Sequence, residues 1–373
     1  MVQLIHITEG IRIFRRKLHV NSKGIKRYKG NSVEICKKIL DNCYNKKKKY
    51  FQVSAGHFQV FYCRDFGWIT QALLDLGYKS KVRSTLHYAL TQFRKYGHIR
   101  TSINPSGIPF DFPIYAVDSI PYLIYSLSCL NDKKLVKEFK RFLESEIDYF
   151  FDEVVDMKSG MVKKDKVFSS MKDHSKRQSS CYDNSMLYLL QQGCNKLGLF
   201  NPLKRYNYKK IIMKNFWVGS YFLDDISGAK YIAGDSNIFP FWTGVITDDK
   251  ILKKVIFTLS KIGLDKPFPM CYTKGSKHKV DFIVVETLAK NYEGDVAWMH
   301  MGPLYVEVVG KVDKKLQKSY LKLYKKIIMK YGNFLEVFNK ESTPFKTFWY
   351  YSDESMSWCA NYLNLLKKIK IKP

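Results

Sequence analysis

Ile114-Tyr115-Ala116-Val117-Asp118-Ser119-Ile120-Pro121-Tyr122 sets an acidic residue among aromatic and apolar ones where a loop gives way to an apolar run. Beyond it, apolar residues recur at three- and four-residue spacing, which predicts a helix over 118–131 and, after a one-residue step, a second over 133–155. Long segments rich in Gly, Pro, Asp and aromatics lie on either side, at 97–117 and 156–180. A long loop, a helix, a tight step and a second helix form the unit from which the fold is read.

The same rhythm runs outward in both directions. Helices are expected at 32–47, 66–77, 79–96, 181–198, 203–216, 246–263, 281–290, 297–311, 313–333 and 354–369, close to twelve in all. Further long segments fall at 217–245, 264–280 and 334–353. Short connections alternating with long ones suit an all-α fold, an (α/α)6 toroid of six helical hairpins. Its tight turns would lie at one end, and its long loops would build a binding surface at the other. Ahead of it, Val2 to Tyr28 alternates apolar and polar residues and reads as a short, basic, strand-like N-terminal segment. There is no Gly/Ser linker and no sequence repeat, so one domain over 1–373 is expected, and a regular superhelix of hairpins is disfavoured.

Composition narrows the function classes. A hydrophobic fraction of 46% and an aromatic fraction of 15% supply a substantial core. The balance of 63 Lys plus Arg against 34 Asp plus Glu leaves +29, yet the lysines are dispersed in short groups such as Lys46 to Lys49 and Lys367 to Lys368. Dispersal without a nucleic-acid motif reads as a solvated surface, so no specific nucleic-acid partner is expected. Eight cysteines show no CxxC pair and read as reduced thiols, and the eight histidines form no ligand pair at helical spacing, so neither metal nor cofactor is called for. With no uncharged run of 18 apolar residues and no leader-like segment, the reading is a cytoplasmic protein with no membrane partner.

The acid-beside-aromatic pattern recurs. Tyr62, Arg64, Asp65 and Trp68 cluster in one junction, Tyr182-Asp183-Asn184 forms another, and Asp235 stands ahead of Phe239-Pro240-Phe241-Trp242. Glu293-Gly294-Asp295 leads to Trp298, Glu336 sits in Phe334-Leu335-Glu336-Val337-Phe338-Asn339, and Asp353-Glu354 precedes Trp358. Helix capping accounts for such an acid taken singly, and for Asp118, Asp183 and Asp353 it stands level with a functional role. The whole set favours a carbohydrate site, where carboxylates bind hydroxyls and aromatic faces stack on sugar rings.

These segments, from Arg64-Asp65 through Ala116-Val117-Asp118-Ser119 to Glu336-Val337-Phe338-Asn339, resemble the six-hairpin glycosidase superfamily. The resemblance is to the branch holding trehalase, processing α-glucosidase, glucosylglycerate hydrolase and alkaline invertase. It implies a glycoside hydrolase acting on an α-glucoside or short oligosaccharide, with Asp118 as general acid and Glu336 as general base. Tyr62, Arg64, Asp65, Trp68, Asp183, Asp235, Trp242, Trp298 and Glu354 are then expected to line the substrate cavity, and Glu354 is also a rival base. Inversion is implied as well, with water between carboxyl groups about 6.5 to 9.5 Å apart. Two other readings stay open. One is a phosphorylase or lyase on the same barrel, which would need Lys and Arg converging in the cavity; the other is a basic noncatalytic scaffold for polyanions.

Overall fold

The computed structural model describes residues 4–173, 175–228, 231–274 and 289–370. Six helices form an inner ring: α3 (Cys63–Asp75), α5 (Ser119–Leu130), α7 (Cys181–Leu197), α9 (Gly234–Trp242), α11 (Met301–Val309) and α13 (Cys359–Lys368). Each packs on the next, and α13 returns to pack on α3, so the ring is closed. The outer helices are α2 (Ser32–Cys43), α4 (Lys79–Tyr96), α6 (Lys133–Val154), α8 (Tyr208–Phe216), α10 (Asp249–Ile262) and α12 (Lys314–Tyr331). Inner helices α3, α5, α7, α9 and α11 each pass to the next outer one by a short connection, and α2, α4, α6, α8 and α12 each return to the inner ring by a long loop. The architecture is an (α/α)6 toroid with every long loop at the N-terminal ends of the inner helices.

Helix starts divide by layer, save that outer α4 has no side-chain cap and inner α7 has one. Asn31, Asp132, Asn207, Asp248 and Asp313 cap outer helices through their side chains, accepting from first-turn amides. Inner helices α3, α5, α9, α11 and α13 begin with no side-chain cap. Asp118 occupies the N-cap position of α5 without capping it, and Ser180 rather than Asp183 caps α7. The acids at the inner N-termini therefore have work elsewhere.

Close approach inside the ring rests on small residues. A Cβ on Gly67 of α3 would meet Tyr122 Cβ at 2.6 Å, and one on Gly193 of α7 would meet Ile124 Cγ2 at 2.7 Å. Because Tyr122 Cβ lies next to the backbone, it cannot swing aside, and Tyr122 also receives the Trp68 indole N–H at 2.8 Å. Gly67→Ala is expected to lower unfolding free energy by about 2 kcal/mol in a denaturant titration. Gly10, with nothing within 4 Å of a Cβ, is the control: Gly10→Ala should be neutral or slightly stabilising.

Several boundaries differ from the sequence reading. The N-terminal segment is not strand-like: α1 (Leu4–Lys23) is a helix, in which Ile7, Ile11, Phe14 and Leu18 share one face. The expected loop 217–245 contains α9, a nine-residue helix hidden by Gly234 at its start and Pro240 inside it. The expected helix 203–216 is a 3-10 turn, Pro202–Arg205, followed by α8, because Asn207 caps a new start. The last two inner helices begin later than expected, at Met301 and Cys359, and Ala297–Trp298 instead pairs antiparallel with Val337–Phe338. The expected helix 281–290 lies outside the described residues save for its last two positions.

Candidate active site

Arg64 and Asp65 lie in the first turn of α3 and are buried. The Arg64 guanidinium donates from Nε to Asp118 Oδ2 at 2.6 Å and from Nη2 to Asp173 Oδ1 at 3.1 Å, and it lies 5.3 Å from the centre of the Tyr62 ring. Asp118 Oδ2 also accepts the Tyr182 hydroxyl at 2.7 Å, and the residue has no exposed surface. Asp65 accepts the Trp358 indole N–H at 2.8 Å, and burial pushes its carboxyl up to about 7 against the pull of Arg64.

Asp173 stands on the other side of Arg64, in the loop before α7. Its Oδ1 accepts from Arg64 and from Ser169 Oγ at 2.9 Å, while Oδ2 takes part in no hydrogen bond among the described residues. Just over a quarter of the side chain, 27%, is still exposed. Desolvation raises its carboxyl to about 6, with Arg64 opposing and nearby Glu293 adding to the rise. The Asp173 amide donates to Glu293, whose other oxygen accepts from Ser175 Oγ at 2.7 Å.

Glu336 opens the strand pair that joins loops 289–300 and 332–358. Its backbone is fixed by Met299 N–H and Asp353 C=O, each at 3.0 Å. Both carboxylate oxygens accept: Oε1 from the Tyr292 hydroxyl, and Oε2 from the Tyr350 hydroxyl and from Asp353 N–H at 2.8 Å. Burial first, and then the neighbouring Asp353 carboxylate, push Glu336 up to about 7.

An aromatic wall joins these groups. His300 stacks on Trp68 with centroids 4.6 Å apart, meets Trp298 at 4.7 Å and stands edge-on to Trp358 at 5.0 Å. Trp298 packs at 4.5 Å on Tyr292, the donor to Glu336. Burial, reinforced by the Arg64 charge, holds His300 well below its usual range, so its ring is neutral.

Deeper in the loops, the Arg177 guanidinium binds Asp235 at 2.7 Å, Asp224 at 3.3 Å and Ser170 Oγ at 2.7 Å. Buried Lys172 lies 3.5 Å from Asp224. Burial opposes the Asp224 charge, but Lys172 and Arg177 outweigh it and hold its carboxyl below the usual range. Asp183 is raised to about 6 by burial. Asp118 Oδ1, Asp183 Oδ1, Asp235 Oδ1 and the Tyr62 hydroxyl are buried with no hydrogen-bond partner among the described residues.

The structure thus brings Tyr62, Arg64, Asp65, Trp68, Asp118, Asp183, Asp235, Trp298 and Glu336 to the loop-side ends of the inner helices. It does not bring Trp242 or Glu354 there. Trp242 ends α9, seven residues and about 10 Å below Asp235, and packs on Tyr125 at 5.4 Å. Glu354 binds Arg16 at 3.1 Å and the Lys26 amide at 2.7 Å. Asp173, Arg177, Asp224, Tyr292, His300 and Tyr350 are additions that sequence reasoning missed. A surface groove of about 290 Å³ between Asn131, Lys133, Lys137, Lys140 and Lys196 lies at the opposite end and contains none of this chemistry.

No family model matches the chain, and no curated protein does. Solved structures do. A rhamnosidase from Klebsiella oxytoca with rhamnose bound superposes at a TM-score of 0.65 and 12% identity, over 91% of this chain and 63% of that one. A bacterial glucoamylase complexed with acarbose gives 0.65 at 14%, over 93% of this chain and 55% of that one. A glycosidase variant in complex with glucose gives 0.62 at 10%, covering both chains in full. The chain therefore spans less than two thirds of the first two, and the likeness establishes the fold, an (α/α)6 toroid.

Proposed function

We propose that this toroid hydrolyses glycosidic bonds, with Glu336 as the general base and Asp173 as the general acid. The observation that carries the reading is geometric. Of the carboxyl groups at this end of the ring raised to about 6 or 7, which are Asp65, Asp173, Asp183 and Glu336, Asp173 keeps an oxygen with no hydrogen bond among the described residues on a partly exposed side chain, and Glu336 has both oxygens held by donors. Such values let one group hold a proton while the other activates water. Glu336 suits the base because both of its oxygens already accept hydrogen bonds, an arrangement that only the ionised form satisfies fully.

Asp173 suits the acid better than Asp118 does. A proton donor must reach the leaving oxygen, and Asp173 Oδ2 is unengaged on a partly exposed side chain. Asp118 is sealed, and one of its oxygens is held by both Arg64 and Tyr182. We assign it to fixing Arg64, which in turn orients Asp173. Glu354, bound to Arg16, is set aside as a base.

The substrate in this reading is a neutral sugar, an α-glucoside or a short oligosaccharide, in line with the glucose and acarbose held by the structural neighbours. The unpartnered oxygen of Asp183, a residue 5% exposed, would accept a sugar hydroxyl, and Trp68, Trp298 and Trp358 supply faces for the ring. Phosphorolysis is disfavoured because Arg177 is held by Asp224 and Asp235 and the Lys172 ammonium lies 3.5 Å from Asp224, so carboxylates offset both charges. Inversion, with water on Glu336, completes the proposal.

A pH profile tests the pair. Activity needs Glu336 ionised and Asp173 protonated in the same molecule. With the base at about 7 and the acid at about 6, kcat/KM should fall off below about pH 6 and above about pH 7. The expected bell peaks near about 6.5, where roughly a twentieth of the enzyme is in the productive state. A flat profile between about pH 5 and 8 would contradict the pairing.

A further inference from the structure

We propose that the outer face of α1, together with the tip of the loop beside it, is a docking surface for an anionic lipid bilayer. Ile7, Ile11, Phe14 and Leu18 follow one another at four-, three- and four-residue steps and so share a face. Ile7, Ile11 and Leu18 are 52%, 48% and 49% exposed, although each would gain from leaving water. Phe14 packs on Trp349 with centroids 5.2 Å apart, and this contact extends the stripe onto the 345–354 loop, where Trp349 is 45% and Phe348 71% exposed. A contiguous apolar surface of this kind on a folded chain marks a place where something else sits.

Charge selects the occupant. Glu9 is the one acid in α1, and Arg12 pairs with it. Arg16 is turned inward to Asp353 and Glu354. That leaves Arg15 and Lys17 flanking the stripe on either side, with the Lys17 ammonium 5.2 Å over the Phe348 ring. An apolar helix stripe, an exposed Trp/Phe pair on the adjoining loop and cations at the stripe's edges match the interface of a bilayer with anionic headgroups. No helix among the described residues is long and apolar enough to cross a membrane, so the contact is peripheral. The loop that carries Phe348 and Trp349 also carries Tyr350, which donates to Glu336, so docking would bring the bilayer beside the mouth of the ring. The face was hidden from the sequence reading, which took this segment for a strand and expected no membrane partner.

The test is co-sedimentation of the full chain with vesicles of phosphatidylcholine alone and of phosphatidylcholine mixed with phosphatidylglycerol. Binding to the anionic vesicles is expected, weakened about tenfold or more by Ile11→Asp with Leu18→Asp and, separately, by Phe348→Ser with Trp349→Ser. All four positions are at least partly exposed, so folding should be kept, which circular dichroism checks. Brominated lipid should quench part of the tryptophan emission, and that part should vanish in Trp349→Ser. Binding that is unchanged in both apolar variants would reduce the effect to adsorption of a +29 chain and overturn the proposal. Absence of binding would overturn it too, as would a dimer in light scattering that the same substitutions dissolve, since a second copy would then cover the face.

Discussion

Glu336→Gln is expected to lower kcat on an unactivated glycoside by about three orders of magnitude or more, the scale of a lost general base. The substitution isolates the chemistry. A glutamine carbonyl can still accept from Tyr350 and Asp353 N–H, while its amide can donate to the Tyr292 hydroxyl oxygen, so the hydrogen-bonded frame survives. It also replaces a group that burial already drives toward neutrality, so unfolding free energy should change by no more than about 1 kcal/mol. A folded variant that keeps a tenth of wild-type activity would remove Glu336 from the mechanism.

Asp173→Asn should cost about as much on an alkyl glycoside and far less on a glycosyl fluoride. Fluoride leaves without protonation, so a missing acid matters little there, and the variant should stay within roughly tenfold of wild type. The ratio between the two substrates separates the rival acids. Asp118→Asn weakens one of the two anchors of buried Arg64, and the displaced guanidinium should impair both substrates alike. If Asp118→Asn instead spares the fluoride while Asp173→Asn does not, the two roles are exchanged.

The fold was legible because apolar periodicity and loop length are local signals. α4 lies over 79–96 as its spacing predicts, and the short-long alternation carries directly into the double ring. Reading failed where local cues conflict with packing. α9 contains Gly and Pro but is held by α7 and α11 on either side. α1 begins among alternating residues, yet its apolar positions from Ile7 onward are helical.

The site was half legible for the same reason. Asp65, Asp118, Asp183 and Asp235 stand at or within two residues of a helix start, where acid beside aromatic is visible in the chain. Asp173 lies eight residues ahead of α7, in Ser169-Ser170-Met171-Lys172-Asp173, with no Phe, Tyr or Trp within four residues of it and no helix start beside it. Its importance comes from Arg64, 109 positions away, and from Glu293, 120 positions away. Glu354 and Trp242 carry the local pattern, but tertiary contacts turn one toward Arg16 and set the other at the far end of α9. His300 gave no signal as a lone histidine, because its neutrality arises from burial among rings that include Trp68 and Trp358 of two other segments and from the Arg64 charge.

The most direct test follows the sugar itself. Proton NMR would monitor the first minutes of incubation of the full chain with a panel of α-glucosides, trehalose, sucrose and short maltooligosaccharides among them, at about pH 6.5. The account predicts that the attacked glucosyl unit appears first as β-glucose, accompanied from trehalose by an equal amount of α-glucose as the leaving half, with no release by Glu336→Gln. Release of the α anomer alone at first would contradict inversion, and no release from any member of the panel would contradict the proposed activity on α-glucosides.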